Sequence, residues 1–279
     1  MLGRTQNKQH INKYADSLKF ARQYVLSAED TEERIVRNDS LRKAVIQFLE
    51  QSKSFDYKCD SVPFLGDLHS PDNAFRIITW NLPLDEGRFK YFAFVQTNKG
   101  DYTELIDQNE KLDRKPEFKA LKYNNWLGAL YYEIIPFNIK KQKYYVLLGW
   151  DGKTNMSNRK IIEVMYFDNK QKPRFGKDVF KESKFNKRRV ILEYTEDAYV
   201  SLRYHPEKKW IVFNHLMPMK PELEGVYEFY RPDMSFDAYE LMKNGWELLE
   251  DVDIRQEKTN KPYIDPRKSR KLEPVKIKP

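Results

Sequence analysis

The sequence predicts a mainly β protein: antiparallel meander sheets, about twelve strands in a propeller-like or barrel-like array, led in by short N-terminal helices. Three observations carry this reading. From about residue 60 onward, short runs rich in Ile, Val, Tyr, Phe and Trp are separated by clusters of Gly, Pro, Asn and Asp, which is strand and turn chemistry. Aromatic residues make up 14% of the chain, with 18 Tyr and 17 Phe, a profile that suits half-buried strands better than helices. No helical periodicity interrupts these runs, so hairpin-joined antiparallel pairing is the expected connection.

Taken in order, the chain divides into a helical region at 1–58 that packs on the β body, a β domain at 59–254 and a basic, proline-containing tail at 255–279. In the first part, Ile11, Tyr14, Leu18, Val25 and Leu26 recur near helical spacing. Leu41, Val45, Phe48 and Leu49 do so again, with Asn38, Asp39 and Ser40 as the expected break and N-cap between them and residues 28–37 as a further short helix. These amphipathic stretches are short and need the β body as a packing partner. Strands are expected at 75–80, 89–96, 102–107, 126–136, 143–150, 160–167, 189–195, 198–204, 209–215, 225–230, 236–241 and 246–249.

Three segments share an order of apolar strand, aromatic or His beside a polar residue, turn, then a second aromatic-rich strand. Their strand ends carry Trp80, Trp150 and His215, 70 and 65 residues apart, longer than a propeller blade of ~40–50 residues. Any aromatic-rich meander aligns with itself to this degree, and three equivalent sheet modules would produce the same pattern. Under the second reading the loops after these strands gather at one end. They would bring together Trp80 and Asn81, then Trp150, Asp151 and Asn155, then Asn214 and His215 as ligand-binding residues. Trp with nearby amides and carboxylates suits sugar or peptide contact, the ring stacking and the polar groups setting orientation. Trp followed by Asn or Asp at a strand end is equally ordinary turn chemistry.

The net charge of +8 is unevenly placed. From Arg255 to Pro279 nine basic residues face three acidic ones, so +6 of the +8 lies in the tail and the body is nearly neutral. That makes nucleic acid an unexpected partner, since a folded reader carries its positive field on a face of the domain. Pro262, Pro266, Pro274 and Pro279 keep the tail extended, and Arg267, Lys268, Arg270 and Lys271 are its candidate contacts to an acidic partner or, peripherally, an anionic membrane surface. No stretch approaches the ~20 apolar residues of a transmembrane helix.

Catalytic and cofactor signatures are missing: the chain has no dinucleotide-binding glycine pattern, no Walker A, no nucleophile elbow and no zincin motif, so no cofactor is expected. The single cysteine, Cys59, excludes an intrachain disulfide, and its neighbour Lys58 could lower its pKa. His205 and His215 could face each other across a hairpin but are too few for a metal site, and His10 and His69 have no spacing that ties them in. If the chain is a hydrolase of glycans or peptides, Asp85, Glu86, Asp151, Glu222 and Glu224 are the acid and base candidates.

The segments Phe75-Arg76-Ile77-Ile78-Thr79-Trp80-Asn81-Leu82-Pro83, Asn125-Trp126-Leu127-Gly128-Ala129-Leu130-Tyr131-Tyr132, Leu148-Gly149-Trp150-Asp151-Gly152 and Leu223-Glu224-Gly225-Val226-Tyr227-Glu228-Phe229-Tyr230 carry a resemblance. Over residues 60–255 the chain resembles a Bacteroidetes family of extracytoplasmic β-rich proteins with no assigned activity. The resemblance implies an envelope location, periplasmic or outer-membrane-associated, and carries over no catalytic residue. Residues 1–12 are polar, without the apolar core of an export signal, so that location presupposes a removed leader and the alternative is cytoplasmic. The expected role is a non-enzymatic binding or accessory protein for an envelope protein or a glycan, with hydrolysis as the alternative.

Overall fold

The computed structural model describes residues 2–109, 115–182 and 186–254, with side chains described from His10 onward. Two helices, α1 (Leu2–Leu26) and α2 (Thr31–Leu49), precede sixteen strands among the described residues. The first sheet is the meander β1 (Gly66–His69), β2 (Phe75–Pro83), β3 (Phe89–Thr97) and β4 (Tyr102–Ile106). The second has the order β5 (Leu121–Lys122), β9 (Pro173–Phe175), β8 (Ser157–Phe167), β7 (Gln142–Asp151), β6 (Leu130–Ile139). Strand β12 (Arg189–Thr195) takes the part of the β8 edge that β9 leaves open. The third sheet has the order β11 (Asn186–Lys187), β10 (Phe180–Lys181), β16 (Gly245–Leu249), β15 (Tyr230–Met242), β14 (Trp210–Pro218), β13 (Leu202–His205). Every strand pair is antiparallel except β10 with β16.

Three hydrophobic clusters order these parts into a four-layer stack. Ile11, Leu18 and Val25 of α1 and Leu41, Val45 and Phe48 of α2 meet Ile78, Trp80, Leu82 and Phe94 on one face of the first sheet. The other face, with Phe75, Ile77, Tyr91 and Val95, packs on Ile134, Tyr145, Leu147, Ile161 and Met165 of the second sheet. The opposite side of that second sheet, with Phe137, Tyr144, Val146, Leu148 and Val164, packs on Ile211, Phe213, Tyr239 and Trp246 of the third. Side chains alternate between the two faces of a strand, so a strand with both faces covered must be apolar at nearly every position. The runs Ile77-Ile78-Thr79-Trp80 in β2 and Tyr145-Val146-Leu147-Leu148 in β7 are buried throughout for this reason.

The mainly β class with N-terminal helices holds, and the array is a face-to-face stack with no closed barrel. The expected strand at 225–230 is instead a loop with a short 3-10 turn, Tyr227–Phe229, before β15 begins. Five short strands, β1, β5, β9, β10 and β11, escaped the sequence reading, because two to four residues carry too little pattern. The helix break also lies elsewhere. Asp30 is the N-cap of α2, its side chain accepting from the Glu33 N–H at 2.8 Å, while Asn38, Asp39 and Ser40 lie inside the helix. Asn38 is buried there, and its Oδ1 accepts the Trp80 indole N–H at 2.8 Å.

The second sheet holds a fully buried ion pair, and the third a partly exposed one. Arg189 and Glu163, directly opposite each other on β12 and β8, are both fully buried with Nε to Oε2 at 2.7 Å. The Glu163 carboxyl is raised by burial despite the Arg189 charge, and Arg189 also donates to the Lys119 carbonyl at 2.8 Å and to that of Pro116. In the third sheet His215 Nδ1 lies 2.8 Å from Asp237 Oδ2, with the imidazole partly exposed.

Candidate functional site

The three aligned segments fall on β2, β7 and β14, each the strand preceding the third strand of a three-strand hairpin run: β1-β2-β3, β6-β7-β8 and β13-β14-β15. The loops that follow them, 84–88, 152–156 and 219–229, lie along a continuous edge. The first two touch: the Asn155 N–H reaches the Glu86 carbonyl at 3.3 Å, and a Cβ on Gly87, at φ +70°, would come within 2.6 Å of Asn155 N. From the second loop the edge continues through the Glu196 N–H to the Met156 carbonyl at 2.9 Å. The turn at Tyr227–Phe229 packs against β12 and the start of β8, and Arg231 pairs with Asp197.

Along this edge lies a row of exposed apolar side chains. Tyr199 is 76% exposed, Tyr227 57%, Met156 49% and Tyr132 41%. Tyr132 is anchored by its hydroxyl, which donates to the Leu202 carbonyl at 3.1 Å, and Lys160 Nζ sits 5.2 Å from its ring centroid. Tyr227 leans on Tyr230 at 5.0 Å between ring centroids. Large aromatic rings and Met thioethers held in place by a rigid sheet, with ionic groups beside them, are the side chains that protein interfaces favour.

Between the first two loops the surface opens into a cavity of about 330 Å³. It is lined by the buried Asp151 and Gly152, the partly buried Leu84, Phe89, Asp107, Asn109 and Lys153, and the exposed Ile35, Arg88 and Lys90. The Asp151 carboxylate, 2% exposed, accepts the Tyr91 hydroxyl and the Asn109 amide, the latter at 3.3 Å, and faces Arg159 Nη1 at 3.6 Å. The Tyr91 hydroxyl in turn accepts the Gly152 N–H at 2.8 Å, which fixes the chain as it leaves β7. Asp107 accepts the backbone N–H of Tyr91 and of Asn109, each at 2.9 Å. Gly128 at φ +79° passes so close that a Cβ would lie 2.7 Å from Asp107 Oδ1, so only glycine allows the carboxyl to sit there.

Burial sets the electrostatics of these two acids. It pushes the Asp107 carboxyl up to about 6, against the two backbone donors and Lys90 and with help from the charge of Asp151. Burial also raises Asp151, against Arg159 and the hydrogen bonds from Tyr91 and Asn109. Behind them burial works to raise Glu193 too, but the Lys153 hydrogen bond at 2.6 Å and the charges of Arg159 and Lys153 outweigh it and hold that carboxyl low.

The sequence candidates are scattered relative to these features. Trp80 is fully buried, stacked on Phe92 at 5.4 Å and covered by α2, so it offers no face to a ligand. Asn81 is half-buried in β2, opposite Tyr91. Trp150 lies edge-on to Phe89 at 5.6 Å, beneath the cavity wall, and Asp151 lines the cavity itself. Asn155 is exposed and holds the neighbouring loop through its backbone. Asn214 spends its Oδ1 on the Ser201 N–H at 2.7 Å, a structural bond, and His215 stands on the third sheet beside Asp237. In the β13-β14 hairpin His205 opposes Trp210, so the two histidines do not face each other across it. Among the described residues no three His, Cys, Asp or Glu side chains converge as metal ligands. Cys59 is buried, and burial with Asp67 nearby pushes its thiol up to about 12, opposite to the lowering expected from Lys58. Of the five acid and base candidates only Asp151 lines the cavity; Asp85, Glu86, Glu222 and Glu224 are exposed or half-exposed loop residues, and Asp85 accepts the Thr31 hydroxyl. The tail residues Arg267, Lys268, Arg270 and Lys271 lie outside the described residues.

Asp107, Lys90, Asn109 and Lys153 were not singled out from the sequence. Asp107 ends its apolar run as Asp151 ends the run Val146-Leu147-Leu148-Gly149-Trp150, and that shared strand-end acid was the available signal. These features define a helix-capped stack of three sheets with a loop edge and a cavity holding two acids. No family model, no curated protein and no solved structure matches the chain.

Proposed function

We infer that this chain is a non-enzymatic binding or accessory protein of the cell envelope that holds a protein partner on its loop edge. The supporting observation is the set of exposed Tyr and Met side chains, Tyr132 on β6 and Met156, Tyr199 and Tyr227 on loops that backbone hydrogen bonds, the Arg231–Asp197 pair and packing on β12 tie together. Such a surface loses little conformational entropy on binding, because the rings are already positioned. The envelope assignment rests on the Bacteroidetes resemblance alone. The basic tail adds a second, electrostatic contact to an acidic region of the same partner.

The test compares three forms as bait in envelope extracts: the full chain, a Tyr199→Ala/Tyr227→Ala variant, and a chain ending at residue 254. Both tyrosines are exposed, so the double variant is expected to fold normally. A protein retained by the full chain, lost by the double variant and weakened by the truncation supports the reading. Retention that is indifferent to Tyr199 and Tyr227, or no retained protein at all, overturns it. Binding to a glycan array with no retained protein would replace the partner class.

A further inference from the structure

The cavity has a chemical asymmetry that the loop edge does not use. The more buried part of its lining is acidic, with Asp151 and Asp107; its exposed part is basic, with Arg88 and Lys90; and Ile35, Leu84 and Phe89 supply apolar surface beside them. We propose that this cavity binds a small zwitterion, a primary ammonium seated against Asp107 and Asp151 with a carboxylate at the basic mouth, as in an α-amino acid.

Three observations carry it. A volume of about 330 Å³ lies within the range of small-ligand sites and is too small for a folded partner. The two acids share a buried space with Arg159 as the one guanidinium at their back, and Arg159 is also engaged by Glu193 at 3.0 Å. A positive charge in the cavity would therefore meet the Asp107 carboxylate at short range in a partly buried setting, where the attraction is stronger than in water. The groups facing Asp107 are Lys90 and Tyr91 from β3 and Asp151 from β7, with Lys153, Arg159 and Glu193 behind Asp151. Each Asp107 oxygen accepts one backbone N–H and keeps a lone pair for a further donor. The lining is rigid: Gly152 is tied to the Tyr91 hydroxyl, and Lys153 to Glu193 at 2.6 Å.

Calorimetry on the full chain tests this with leucine, methionine, phenylalanine and glycine as probes, leucine amide as the analogue of leucine without a carboxylate, and propylamine and isovalerate as single-charge controls. At least one amino acid is expected to bind at pH 7.5, and both single-charge compounds at least about tenfold more weakly, each having lost one of the two ionic contacts. Leucine amide is expected to bind at least about tenfold more weakly than leucine, having lost the carboxylate contact; binding as tight as that of leucine overturns the proposal. With the Asp107 carboxyl at about 6, affinity is expected to fall about tenfold between pH 7.5 and 5, as the site takes up a proton that competes with the ammonium. Lys90→Glu, an exposed change that leaves the fold intact, is expected to weaken the amino acid and spare propylamine; Asp107→Asn is expected to weaken both. No heat from any amino compound at 10 mM overturns the proposal, as does isovalerate binding as tightly as leucine.

Discussion

Replacing Arg189 by Met probes the second sheet where it is most sensitive. The guanidinium is fully buried, spans 2.7 Å to Glu163 Oε2 and also satisfies the Lys119 and Pro116 carbonyls. Methionine fills much of the volume but leaves a carboxylate and two carbonyls without their donor. Breaking one side of a buried pair in this way costs about 3–5 kcal/mol, largely from the stranded charge. For a chain of this size each kcal/mol lowers the melting temperature by about 2–4 °C, so a drop on the order of 10 °C is expected. The pH dependence identifies the cause. Glu163 already has a folded pKa raised by burial, and losing Arg189 raises it further. A group with a raised folded pKa contributes its stability below the unfolded value near 4.5 and loses it as pH climbs through the folded one. The variant should therefore be closest to wild type near pH 4–5 and furthest from it at pH 8, where Glu163 must ionise while buried. Urea melts of both proteins across that range measure this, and the double variant Arg189→Met/Glu163→Leu should recover most of the loss at pH 8. A penalty below about 1 kcal/mol at pH 8, or one that does not change with pH, would refute the account.

Further expectations follow from other parts of the fold. Asn38→Ala strands the buried Trp80 indole N–H and should cost about 1–3 kcal/mol in urea melts with an unchanged slope. Cys59, buried and pushed up to about 12, should react with a disulfide exchange reagent at pH 8 only as fast as the chain unfolds, which the reagent's absorbance reports over time. The His215 imidazole is raised above its ordinary value first by its hydrogen bond to Asp237. Its proton resonances should titrate above 6.5 in NMR, and Asp237→Asn should bring the midpoint down. The associated stability is present below 6.5 and lost as pH rises through the folded value, and because the ring is partly exposed it should stay below about 1 kcal/mol.

The parts of this fold legible in sequence are those where packing imposes a pattern. The unbroken apolar runs of β2 and β7 identify strands covered on both faces, and eleven of the twelve expected strands correspond to observed ones. Trp80, Trp150 and His215 lie on β2, β7 and β14, each the middle strand of a hairpin run in a different sheet. What the pattern does not contain is depth. Trp80 and Trp150 each come late in an apolar strand, yet the first is fully buried under α2 and the second is partly buried, edge-on to Phe89. Asn38 reads as a helix cap because short amides favour that position; its actual partner, the Trp80 indole, is 42 residues away. The cavity acids were illegible for the same reason: Asp107 and Asp151 are 44 positions apart, on different sheets, and each looks like an ordinary strand-end acid.

The second sheet, enclosed by one sheet on either side, also dictates an order of events. Its strands have no face from which water can reach their amides, so their hydrogen bonds should open only when a neighbouring layer has already departed. The helical layer and the outer side of the third sheet can loosen one at a time; the middle cannot. Amide exchange should accordingly be slowest along β7 and β8, and a lesion there, unlike one in α1, would be felt by the whole molecule at once.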